Sequence, residues 1–201
     1  MSVALVLIDL QNDFLAPDGA YARGGCASPQ AQALPARLLA LAQAVRQAGG
    51  MVVASQFTLW PDAKGEPMIS PHLKHLRPFL RVGDFAPGSQ GQAVVPVLQP
   101  LIDISVQKVA YSAFFNTQLD WVLRRAGMQQ VWVGGIVTNG GVASTVRDAH
   151  MRDYVTRVLA DGCAAYGDAV HEAALADMGT VARVCTIAQA MQQLQAGVDH
   201  A

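Results

Sequence analysis

Apolar and polar positions along this chain fall into two alternating patterns. Residues 3–8 (VALVLI) are a continuous apolar run rich in branched side chains, as in a strand buried on both faces. The run breaks abruptly at Asp9 into a polar stretch. Residues 33–48 place leucines and Val45 at helical spacing, and Gly49-Gly50 ends that helix. The alternation recurs, with strands over residues 51–55, 104–109, 130–133, 157–160 and 181–185. Helices follow over residues 116–126, 142–153, 169–178 and 187–195. Strands alternating with helices imply a parallel sheet covered on both faces. The fold class expected is α/β: a three-layer αβα sandwich around a doubly wound, mainly parallel six-stranded sheet, in one domain over residues 1–201. Residues 57–91 resist this scheme, being rich in proline and glycine with little periodicity. Loops of that length are commonly lids, binding loops or disordered segments.

In open α/β sheets, ligands bind beyond the carboxyl ends of the strands. That rule selects Asp9 after the first strand, Gln56 after the second, Lys108 at the end of the third, and the turn GGIVTNGG (134–141) after the fourth. A carboxylate at the end of a dry strand is costly unless paired or solvated. Beside a lysine ammonium it stays ionised and can move a proton. Plainer readings stand next to these: Asp9 as a turn former, and Lys108 as an edge lysine reaching solvent. The glycine-rich turn leads into a helix N-terminus, whose free N–H groups suit an anion or an oxyanion. Its spacing is not that of the nucleotide-binding loops, and tight strand-to-helix packing also explains its glycines.

Composition narrows the function classes. Hydrophobic residues make up 52% and charged residues 14%, against about 25% charged in a typical soluble domain. A disordered chain is excluded. The formal net charge of -1, from 14 basic and 15 acidic residues, gives no reason to expect nucleic acid or an anionic membrane as partner. Cys26, Cys163 and Cys185 are too widely spaced for a disulfide framework or a zinc pattern, so a reducing, cytoplasmic location is expected. No apolar run approaches the roughly 20 residues of a membrane helix. His72 and His75 form an HxxH pair without neighbouring metal-binding groups and read as exposed histidines.

Four segments in order then carry a resemblance: LVLIDLQNDF (5–14), VQKVAYSAFFNTQLDWVLRRAG (106–127), VGGIVTNGGVASTVRDA (133–149) and VLADGCAAYGDAVHEAAL (158–175). The chain resembles the isochorismatase-like hydrolases, which include nicotinamidases, carbamoylsarcosine amidases and isochorismatases. The resemblance runs from residue 3 to about residue 194. It implies a catalytic Asp, Lys and Cys, and the matching positions are Asp9, Lys108 and Gly141. Glycine stands where the family carries its thiol nucleophile, which rules out an acyl-enzyme on that residue. The resemblance also implies an oxyanion hole at the N–H groups of Val137 and Gly141 and a cis peptide between Ile136 and Val137. True isochorismatases likewise have glycine there and cleave a vinyl ether. By that resemblance Asp9 would protonate the vinyl carbon, Lys108 would hold Asp9 and a substrate carboxylate, and Gln56 would contact substrate.

This vinyl-ether reaction on a small organic acid is the leading expectation. The Thr138-Asn139 pair resembles the amidase branch instead. The alternative is an amide or C–N hydrolase using Cys26, Thr138 or an Asp9-activated water, or a silent ligand-binding member. Phe14, Phe114, Val137 and Thr138 are further candidates for contact with substrate. Where nicotinamidases carry their Q-D-x-H metal ligands, this chain has Gln56-Phe57-Thr58-Leu59, so no metal and no cofactor is expected. Partners are expected to be a small molecule and further copies of the chain, as a homodimer or homotetramer.

Overall fold

The first strand, β1 (Val3–Ile8), is buried along its whole length, and its pleat sorts alternate side chains onto opposite faces. Leu5 and Leu7 join one apolar cluster, with Leu34, Leu38 and Leu41. Ala4, Val6 and Ile8 join another, with Leu119, Leu123 and Val146. The computed structural model describes residues 2–198. After β1 come α1 (Asn12–Leu15), α2 (Ala20–Arg23), α3 (Pro29–Gln47), β2 (Met51–Phe57), α4 (Pro71–Leu76), β3 (Ile104–Lys108) and α5 (Leu119–Arg125). Then follow β4 (Gln130–Ile136), α6 (Ala143–His150), β5 (Val155–Ala164), α7 (Asp168–Met178), β6 (Arg183–Cys185) and α8 (Ile187–Val198). The strands form one six-stranded parallel sheet in the order β3-β2-β1-β4-β5-β6. Helices α3 and α8 cover one face, while α5, α6 and α7 cover the other. Among the described residues no helix is long and apolar enough to cross a membrane.

The predicted class and strand count agree with this architecture, but several boundaries move. Helix α3 begins earlier than residue 33, because Ser28 caps it by accepting from the Ala31 N–H at 3.3 Å and Pro29 fills its first position. Helix α5 begins later than residue 116, because Asn116 adopts φ 53° and the Thr117 hydroxyl accepts from the Leu119 N–H. Strand β4 continues through Gly134 and Gly135, and β5 continues past Asp161 to Ala164 with a register shift opposite the glycines. Asp161 thus does not end its strand; its carboxylate accepts from the Ile187 N–H at 2.7 Å. The short helices α1, α2 and α4 have too few turns to show a period.

The sheet order reverses on either side of β1, so the carboxyl ends of β1 and β4 open the crevice expected of a doubly wound sheet. Residues 57–91 fold back over that crevice. Gln11, fully buried, donates to the carbonyls of Phe57 and Gln92 at 2.9 and 2.8 Å and accepts from the Phe57 N–H. Asp13 accepts from the N–H groups of Ala20 and Phe85. A third apolar cluster of Tyr21, Leu59, Leu80 and Phe85, with Phe14 and Phe57 against it, completes this roof.

Candidate active site

Asp9 follows β1 and takes φ 56°, a left-handed conformation that few side chains tolerate and Asp tolerates better than most. Its N–H still bonds the Ser55 carbonyl, so the turn begins inside the ladder. The carboxylate Oδ2 lies 2.7 Å from Lys108 Nζ, and Oδ1 accepts from the Ser55 hydroxyl at 2.8 Å. Lys108 ends β3, two strands from β1, and strand spacings of about 4.8 Å put roughly 10 Å between those backbones. The lysine therefore reaches across the end of β2, and its ammonium also donates to the Ala110 carbonyl at 2.9 Å. Both members of the pair are buried. Burial pushes the Asp9 carboxyl above its ordinary value, while Lys108 and the Ser55 hydroxyl pull in the other direction.

A cleft of about 480 Å³ opens over this pair. Asp9, Lys108, Phe14, Val137 and Gly141 all line it. The chain passes from β4 through a cis peptide between Ile136 and Val137 into a wide turn over Thr138–Val142. Gly135, at φ 123°, lies so close to Ile8 that a side chain would run into the β1 backbone. At Gly141 a Cβ would meet Ile8 Cγ2 at 2.9 Å and the Ile136 carbonyl oxygen at 3.1 Å. The packing has closed onto a residue without a side chain.

Three of the expected contacts sit elsewhere. Gln56 points to the other side of β2, donates to the Gln92 carbonyl and lines a separate cavity with Gln99 and Asp103. Alternation along the strand explains this, since Ser55 rather than Gln56 faces Asp9. Phe114 is buried against Tyr154 at a ring separation of 5.9 Å. Thr138 is fully buried with its hydroxyl 2.8 Å from His171 Nδ1. None of the three lines the cleft. Cys26 also lies outside it, with its thiol directed at the Gly24 carbonyl, and the buried Cys163 thiol is pushed up to about 12 by desolvation. Neither Cys26 nor Thr138, the side chains considered as alternative nucleophiles, is among the residues that line the cleft. Sequence reasoning missed Ser55, Tyr21, Arg77, Tyr111 and Tyr166. Only Ser55 had a usable signal, a polar residue in a buried strand.

Residues 3–189 match the family model of the isochorismatase domain. The chain belongs to the isochorismatase family. It is 35% identical over 187 residues to the ureidoacrylate amidohydrolase RutB of Methylobacterium radiotolerans, covering 88% of this chain and 72% of that protein. Against the RutB protein of Caulobacter vibrioides it is 34% identical over 191 residues, covering 89% and 84%. A cysteine hydrolase from Pseudomonas syringae pv. phaseolicola superposes with a TM-score of 0.82 at 25% identity, over 97% of this chain and 93% of that one. The N-carbamoylsarcosine amidase of Thermoplasma acidophilum gives 0.72 at 26% identity, over 93% and 97%. This isochorismatase-family chain is accordingly a hydrolase, with relatives named for C–N bond cleavage.

Proposed function

We propose that this protein hydrolyses a C–N bond in a small amide or ureido substrate, using water activated by Asp9 in place of a thiolate. The observation that carries the reading is the Asp9–Lys108 pair at 2.7 Å, facing a cleft whose lining includes no cysteine. The Asp9 carboxylate takes a proton from a water molecule as its oxygen attacks the substrate carbonyl carbon. The carbonyl π pair moves onto oxygen, and the oxyanion forms beside the turn at Val137 and Gly141, where backbone N–H groups oppose the charge. Collapse of that intermediate expels the nitrogen, which takes the proton back from Asp9. Lys108 keeps the carboxylate ionised and aimed. A carboxyl raised by burial is suited to both proton transfers.

The relatives' names favour this alternative over the vinyl-ether reaction expected first. Ureidoacrylate heads the test panel because the RutB relatives are named for it. The experiment measures ammonia or amine release from ureidoacrylate, carbamoyl amino acids and simple carboxamides, with pyruvate release from isochorismate in parallel. Turnover of a C–N substrate by wild type is expected, falling about 10²–10⁴-fold in Asp9→Asn. Pyruvate release without any C–N turnover would overturn the proposal.

A further inference from the structure

The charges lining the cleft do not cancel. Lys108 has Asp9 as its counter-ion, and its ammonium is further occupied by the Ala110 carbonyl. Arg77, at the end of α4, also lines the cleft, and no carboxylate among the described residues pairs with it. Its Nε donates to the Tyr21 hydroxyl at 3.2 Å and its Nη1 to the Leu76 carbonyl at 2.9 Å. Nη2 has no acceptor among the described residues. The guanidinium lies over the Tyr21 ring at 6.0 Å, and Tyr21 in turn stacks on Tyr166 at 6.1 Å. The half-buried cation is thus braced in one orientation with Nη2 left free among the described residues.

Three tyrosines share the cleft with it. Tyr21, Tyr111 and Tyr166 all line the same cleft and lie within the electrostatic reach of Arg77. Burial raises Tyr21 and Tyr166 above their ordinary values, so both keep their protons at neutral pH. Tyr21 and Arg77 line the same cleft as Asp9, which places them at one site with the reacting pair. A single planar cation with Nη2 unengaged, and one Nη1 hydrogen left beyond the bond to the Leu76 carbonyl, matches one planar anion that accepts N–H···O bonds there.

We propose that Arg77, braced by Tyr21, binds a carboxylate of the substrate and so selects small molecules that carry one carboxylate near the scissile bond. This reassigns the carboxylate contact that the family resemblance gave to Lys108. The inference rests on the cleft being the site of C–N hydrolysis, and a binding measurement separates the two ideas. Benzoate and its neutral isostere acetophenone are titrated calorimetrically into wild type, Arg77→Gln, Arg77→Lys and Tyr21→Phe, each first checked for an unchanged unfolding temperature. Wild type is expected to bind benzoate at least tenfold tighter than acetophenone. Arg77→Gln should weaken benzoate by about 10–100-fold, as expected for hydrogen bonds to a charged group, and leave acetophenone within twofold. Arg77→Lys should keep part of the preference, and Tyr21→Phe should weaken benzoate several-fold by loosening Arg77. Equal binding of the two probes to wild type, no saturable benzoate binding, or an unchanged benzoate affinity in Arg77→Gln overturns the assignment. Loss of benzoate binding in Arg77→Gln, with no C–N turnover by wild type, would keep the subsite and overturn the reaction instead.

Discussion

Asp9 and Lys108 stand on strand ends, where the parallel ladder fixes their positions by register: Ile8 opposite Ser55, and Phe57 opposite Lys108. Arg77 and Tyr21 stand on or just after helices of a turn or so, Arg77 held by the Tyr21 hydroxyl and the Tyr21 helix by the Asp13 carboxylate on the Ala20 N–H. The reacting floor of the cleft is thus part of the sheet, and the selecting roof hangs from it. The hydrogen bonds of Gln11 to Phe57 and Gln92 and of Asp13 to Phe85 are among the points of attachment, with the Thr58 N–H on the Lys108 carbonyl and the Asp13 N–H on the Gly91 carbonyl. Two regions built so differently should fail differently, the floor by losing chemistry and core stability together, the roof by opening locally.

The largest effect should come from Lys108→Met, which strands a buried carboxylate in the floor. Breaking a buried pair costs about 3–5 kcal/mol, readable by denaturant unfolding. The pH profile gives the sign independently. Burial raises Asp9 and the Lys108 charge lowers it. Removing the charge leaves burial unopposed, so Asp9 titrates at higher pH still. The acid limb of kcat/KM should move to higher pH, because the base form is lost sooner as pH falls. An unmoved limb would mean that Asp9 is not the titrating base.

A smaller and more local effect is expected from Gln11→Ala. The substitution leaves the Phe57 N–H and carbonyl without their side-chain partner, and the Gln92 carbonyl with Gln56 alone. Each such group costs about 1–3 kcal/mol where water cannot replace the bond. Hydrogen exchange should accelerate over residues 57–92 while the amides of β1 and β4 keep their protection. Uniform acceleration across the sheet would show that roof and floor are one cooperative unit.

The same division explains what could be read from the sequence. β1, β2 and β4 announce themselves through apolar runs, and the strand-end rule, applied to these and to the short β3, then finds Asp9, Lys108 and the turn that ends at Gly141. The roof carries no period. Gln11 meets Gln92 across 81 positions and Asp13 meets Phe85 across 72, and such side-chain-to-backbone bonds have no local signature. Arg77 is invisible for that reason. Gln56 was misplaced for another: one residue along a strand inverts the face. Phe114 and Thr138 show a third cause, since both lie within three residues of cleft-lining segments yet turn their side chains into the protein.

The finest test of the floor is Ser55→Ala. Ser55 is buried in β2 and gives Asp9 Oδ1 its hydroxyl bond at 2.8 Å. That bond favours the ionised carboxylate, so its loss should move the acid limb of kcat/KM upward, as Lys108→Met does, but by less. One pKa unit corresponds to about 1.36 kcal/mol, close to the lower end of what a hydrogen bond to a charged group is worth. The Lys108 charge remains in place, so a shift of about half to one unit is expected, with the unfolding free energy reduced by about 1 kcal/mol. Roof exchange over residues 57–92 should not change, because Ser55 has no bond to that segment. A fall in kcat with an unmoved limb would show that Ser55 aims the carboxylate without tuning it. Movement of both the limb and the roof amides would show that the Asp9 turn, rather than Gln11, is the hinge from which the roof hangs.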